Sequence, residues 1–108
     1  MINNENKVYG LLGLCMKAGK LTFGTEATID MINKRKIKLI ILAGDSSQRT
    51  IDNFKNKCKE YDIPVYTFGD KKSISKAIGK NNKTVLGIRE KNLAEAIKKI
   101  LDGGDVIG

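Results

Sequence analysis

The segment Lys38-Leu39-Ile40-Ile41-Leu42-Ala43 constrains the fold more than any other part of the chain. It is continuously apolar apart from its first residue, and Gly44-Asp45 closes it. A strand with no polar face must be covered on both sides, so this run predicts a central strand between two helical layers. The flanking segments supply those layers. Val8, Leu11, Leu12 and Cys15 recur at helical spacing and predict a first helix over Asn4 to Lys17, ended by Ala18-Gly19. Leu21-Thr22-Phe23 predicts a short strand leading into Gly24. A second helix then runs to Lys34, with Thr25 as its N-cap and Ile29 and Ile32 facing inward.

The pattern repeats after the central strand. Ser46 or Ser47 caps a third helix carrying Ile51, Phe54, Cys58 and Tyr61 on one stripe. Pro64 to Phe68 reads as a strand, Lys71 to Ile78 as a short helix ended by Gly79, and Thr84 to Ile88 as the last strand. Leu93, Ala94, Ile97, Ile100 and Leu101 form a final helical stripe stopped by Gly103-Gly104. This alternation predicts an α/β fold, a three-layer α/β/α sandwich on a four-stranded mixed sheet. Its central strands are expected to be parallel, because helices connect them. At 108 residues, a single domain spanning 1–108 and a folded monomer are expected.

Composition narrows the chemistry. The absence of His excludes a Ser-His-Asp triad, a Cys-His pair and His-ligated zinc. Cys15 and Cys58 form no C-x-x-C pair and sit on apolar stripes, where cysteine packs as a small hydrophobe. The polar start MINNENK and the lack of a long apolar run imply a cytoplasmic, reduced protein without a membrane partner. Lys and Arg total 20 against 12 Asp and Glu, a net charge of +8. Such an excess points to a polyanionic partner, nucleic acid first, although a lysine-rich composition also serves solubility.

Several segments could carry function. Gly13 to Lys20 superficially suggests a phosphate-binding loop, but the glycine spacing is wrong and Leu21 stands where Ser or Thr must hold magnesium. Phe23-Gly24-Thr25-Glu26-Ala27-Thr28 is more informative. A glycine after a strand permits close backbone approach, and the helix start that follows offers unpaired amides to a phosphate. Thr25 and Thr28 add hydroxyl groups, and Glu26 could accept from a base amino group. Helix capping alone also accounts for these residue types.

Lys34-Arg35-Lys36 with Lys38 is the densest basic cluster; it suits phosphates or the C-terminal dipole of the second helix. Lys80-Asn81-Asn82-Lys83 offers cations for phosphates and amides for bases, or ordinary turn chemistry. The aromatic residues suggest no base-stacking platform. Asp45 follows the buried strand where open α/β sheets often place catalytic groups. No second carboxylate is tied to it, and it is expected to turn the chain into the third helix.

The ordered set Gly24-Thr25-Glu26-Ala27-Thr28-Ile29-Asp30, a basic helix end, Lys38 to Ala43 and Ile78-Gly79-Lys80 resembles the ribosomal protein L-seven-Ae/L-thirty-e family over residues 7–101. Leu11 to Lys20 looks most like its small bacterial, YlxQ-type branch. The resemblance implies an α/β/α sandwich that binds RNA at kink-turns or related internal loops. It implies a ribonucleoprotein role without catalysis, cofactor or metal, with ribosomal or other structured RNA and ribosomal proteins as partners. By position, RNA contacts fall on Gly24, Thr25, Glu26 and Thr28 and on Lys80, Asn81, Asn82 and Lys83. Lys34, Arg35 and Lys38 are expected to add phosphate contacts. The family's stricter binders carry Asn-Glu where this chain has Glu26-Ala27, and Lys where it has Asp30. A protein-interaction module on the same fold, meeting its partner through Glu26 and Asp30, is the alternative.

Overall fold

The computed structural model describes residues 4–103. The elements are α1 (Asn4–Lys17), β1 (Leu21–Phe23), α2 (Thr25–Asn33), β2 (Leu39–Leu42), α3 (Gln48–Glu60), β3 (Val65–Thr67), α4 (Lys71–Ala77), β4 (Val85–Ile88) and α5 (Lys91–Leu101). Every expected element is present in the expected order. The first three residues and Gly104 lie outside the described range. Ser47 is the cap of α3, its hydroxyl accepting from the Thr50 N–H.

The sheet order is β1-β4-β2-β3. All four residues of β2 are buried, as are all four of β4 beside it. Alternation along β2 divides the core. Leu39 and Ile41 face one layer with Leu12, Ile74 and Ile97, so α1, α4 and α5 cover that side. Ile40 and Leu42 face the other with Ile32, Phe54 and Cys58, so α2 and α3 cover it. Each of these side chains contributes about 1.5–3 kcal/mol by leaving water. This is the three-layer sandwich expected from the run at 38–43.

One expectation is corrected. The central strands are not all parallel: β2 runs parallel to β3 but antiparallel to β4, and β1 is antiparallel to β4. Leu42 pairs with both Thr67 at the end of β3 and Val85 at the start of β4. The seven-residue α4 and the turn after it therefore leave the chain at the same end of the sheet, and β4 must run back. A helix between two strands does not force a parallel pair unless it returns the chain to the starting edge.

This topology positions everything that follows. Phe23 pairs with Leu86, so β1, β2 and β3 finish, and β4 begins, at one end. That end gathers the start of α2, the Gly44–Ser47 turn, the start of α4 and the 80–84 turn. The opposite end holds residues 34–38, with the Lys38 N–H on the Ile88 carbonyl at 2.7 Å.

Candidate nucleic-acid interface

Gly24 stands at the start of α2 with φ 92° and ψ 154°, a conformation open essentially to glycine alone. Its N–H donates to the Val85 carbonyl at 3.0 Å, which fixes the helix start against β4. The N-cap is thus Gly24, and Thr25 is the first helical residue, contrary to the expectation for Thr25. With no side-chain cap, the amides of the first turn keep their hydrogen-bonding capacity and the positive end of the helix dipole. Thr25, Glu26 and Ala27 are exposed there.

Thr28 is a correction to the expected contact surface. It is 0% exposed, and its methyl group faces Gly87 of β4. Its Oγ1 is buried without a hydrogen-bond partner among the described residues. Thr28 therefore packs the helix onto the sheet and presents no hydroxyl at the surface.

The turn at 80–83 is held beside the helix start. The buried Ser75 hydroxyl accepts from the Lys83 N–H at 2.8 Å and donates to the Lys83 carbonyl at 3.0 Å. Asn82 adopts a left-handed conformation (φ 55°), which Asn tolerates better than most residues. Lys80 and Lys83 then bring their ammonium groups to 5.2 and 5.3 Å from the centroid of one ring, Phe23. Two like charges on one aromatic ring repel, and an anion placed between them relieves that repulsion. Phe23, which opens the informative segment, and Ser75 are not among the expected contacts. The only sequence hints were an aromatic residue directly before Gly24 and a hydroxyl on the inward face of α4.

A groove of about 580 Å³ continues from this turn along α4, lined by Lys71, Lys72, Ser75, Lys76, Lys80 and Asn81 among others. Two carboxylates at this end, Asp45 and Asp70, are occupied by backbone. Asp45 accepts from the Lys71 N–H at 2.9 Å, so it ties down the start of α4 rather than that of α3. Asp70 caps α4 by accepting from the Ser73 N–H at 2.8 Å, which holds its carboxyl below the usual range. Among the described residues, the ion pairs are Lys34–Asp30 and Lys98–Asp102, so the lysines of the groove and turn have no carboxylate partner.

The third group of expected contacts is elsewhere. Lys34, Arg35 and Lys38 are exposed at the opposite end of α2 and of the sheet. Lys34 pairs with Asp30 at 3.1 Å. The structure thus brings Gly24, Thr25 and Glu26 together with Lys80, Asn81, Asn82 and Lys83, and leaves Lys34, Arg35 and Lys38 apart. Burial pushes the Cys15 and Cys58 thiols up to about 11, so both stay protonated near neutral pH. Among the described residues, no group of His, Cys, Asp and Glu is placed to hold a metal ion, and no helix is long and apolar enough to cross a membrane.

Known proteins share this architecture. Over 100 residues the chain is 36% identical to RNA-binding protein YlxQ of Enterococcus faecium, covering 93% of this chain and 96% of that protein. A solved structure from Bacillus halodurans C, described as a protein with unknown function, is similar at 29% identity and a TM-score of 0.86, over 89% of this chain and 97% of that one. The Giardia lamblia 15.5kD RNA binding protein has the same fold at 16% identity and a TM-score of 0.76, over 95% of this chain and 89% of that one. Residues 6–98 match the Ribosomal protein L7Ae/L30e/S12e/Gadd45 family, and the chain belongs to that family.

Proposed function

We propose that the protein is a non-enzymatic RNA-binding domain whose mouth, between the start of α2 and the 80–83 turn, takes a kink-turn-like or internal-loop RNA. One observation carries this reading: the Gly24–Val85 hydrogen bond and the two lysines over Phe23 set a helix N-terminus beside a Lys/Asn turn at one basic end of the sheet. The amides of the first turn of α2 receive a phosphate, and Glu26 accepts from a base amino group. Asn81 and Asn82 meet base edges or sugars, while Lys80 and Lys83 hold the backbone. Lys71, Lys72 and Lys76 extend the track along the adjoining stem. The relative named as RNA-binding, at 36% identity over nearly the whole chain, supports the same class of partner. Ribosomal or other structured RNA fits the basic side chains gathered at this end.

Binding of a kink-turn RNA, compared with the same stem in which its sheared pairs are replaced by Watson–Crick pairs, tests the proposal. The intact internal loop should bind tighter. With about four phosphate contacts, affinity should fall roughly a thousandfold per decade of salt, and Lys80→Ala with Lys83→Ala should lower the slope by about two. Equal affinity for both RNAs together with an unchanged slope contradicts it. Salt-insensitive retention of a protein instead of RNA marks the interaction-module alternative.

A further inference from the structure

We propose that the opposite end of the sheet is a second RNA-binding surface, which grips the phosphate backbone of a separate RNA segment and lets the protein bridge two RNA elements. This rests on the reading above for the RNA held at the mouth. The sequence places Lys34, Arg35, Lys36 and Lys38 in one stretch, and the fold sets that stretch apart from the mouth. The first and last residues of α2 are eight steps apart, about 12 Å of helix rise. Asp30 lies exposed on α2 between them, on the same face as Glu26 of the first turn (i, i+4). α2 itself carries no Lys or Arg, so no phosphate track runs along the helix and the two basic ends engage distinct backbone segments.

The second end is also prepared for anions. Arg35 is a non-glycine residue in the left-handed region (φ 59°), a sparsely populated conformation. Its guanidinium lies 4.9 Å from the Tyr61 ring centroid, and the Lys57 ammonium lies 5.4 Å from the same ring. A stacked guanidinium is already ordered, so less freedom is lost when it meets a phosphate. Arg35, Lys38 and Tyr61 line a small groove of about 220 Å³ that also includes Asp62. Among the described residues Arg35, Lys36 and Lys38 have no carboxylate within ion-pair distance. Glu90, at the same end, is occupied in capping α5 through the N–H groups of Asn92 and Leu93. The Asn33 amide oxygen accepts from the Tyr61 hydroxyl at 3.2 Å. Exposed cations in such a cluster suit a sequence-independent backbone contact.

The test uses the full chain, an immobilised kink-turn RNA and a fluorescent RNA duplex that lacks an internal loop. The wild type should retain the duplex on the immobilised RNA. Arg35→Asn with Lys38→Gln should reduce that retention about tenfold while leaving kink-turn affinity within about threefold, since each lost phosphate contact acts at its own site. Asn is chosen at 35 because it tolerates the left-handed conformation. Two results overturn the inference: a wild type that binds kink-turn RNA yet never retains duplex, and a double variant that weakens kink-turn RNA as much as Lys80→Ala with Lys83→Ala, which would mean one continuous site. Duplex binding measured alone reads the second surface even if the mouth takes no kink-turn RNA. There the double variant should lower the salt slope by about two, and an unchanged slope also overturns the inference.

Discussion

The two ends of the sheet carry positive charge in different ways. At the end where β1, β2 and β3 finish, the cations are placed by backbone. Ser75 grips both the N–H and the carbonyl of Lys83, Gly24 is bonded to Val85, and Asp45 and Asp70 fix the start of α4. At the other end, residues 34–38 form a denser run in sequence, but much of it projects from a helix end, with Lys34 held by a surface ion pair. Density of charge along the chain therefore does not locate the more built site. Convergence of segments distant in sequence does, because only it creates a concavity with fixed donors.

The largest expected difference between the ends is in RNA affinity. Reversing Lys80 and Lys83 together to Glu should weaken kink-turn RNA by about a hundredfold or more at moderate salt, while Lys34→Ala should change it by less than about threefold. Equal losses at the two ends would erase the distinction between them. Titration binding with the labelled RNA reads both.

Ser75→Ala should come next. It leaves a partly buried N–H and carbonyl of Lys83 without their partner, costing about 2–3 kcal/mol in chemical denaturation. It should also loosen the 80–83 turn, so RNA affinity falls although no cation is removed. Gly24→Ala meets no atom within 4 Å, so its cost is backbone strain alone, about 1–2 kcal/mol. A stability loss near zero there would mean that the helix start can relax into an ordinary cap.

Thr28→Val is expected to be neutral or to stabilise by up to about 1 kcal/mol, since it replaces an orphaned buried hydroxyl with a methyl group of the same shape. The smallest effect concerns acid. The backbone N–H of Ser73 holds the Asp70 carboxyl below its ordinary value of 3.8. The folded value lies under the unfolded one, so the stabilisation is present above the ordinary value and is lost as pH falls through the lower folded value. Thermal melts of Asp70→Asn should therefore fall off less steeply with acid than those of the wild type.

Much of the fold was legible because local rules and burial agreed. The apolar run at 39–43 demanded two covering layers, and the stripes on α1, α3 and α5 supplied faces for them. The direction of β4 was not legible, since it depends on where a seven-residue helix and a turn deliver the chain. The site was half legible. Gly24 and the Lys80–Lys83 turn stood out by residue type. Their meeting over Phe23, the grip of Ser75 and the reach of Asp45 to Lys71 are contacts across 8 to about 60 residues that no local pattern encodes. Thr28 misled for the converse reason: a threonine in a polar stretch looks exposed until Gly87 opens a space for its methyl group.

The central claim is that the start of α2 and the 80–83 turn form one RNA-binding mouth. Amide spectra of the isotope-labelled protein, recorded while a kink-turn RNA is added at moderate salt, test it most directly. The account predicts that the signals of residues 24–27 and 80–84 move together at the lowest RNA ratios, before those of residues 34–38. Early shifts confined to 34–38, or shifts at 24–27 and 80–84 that titrate independently of each other, would contradict it.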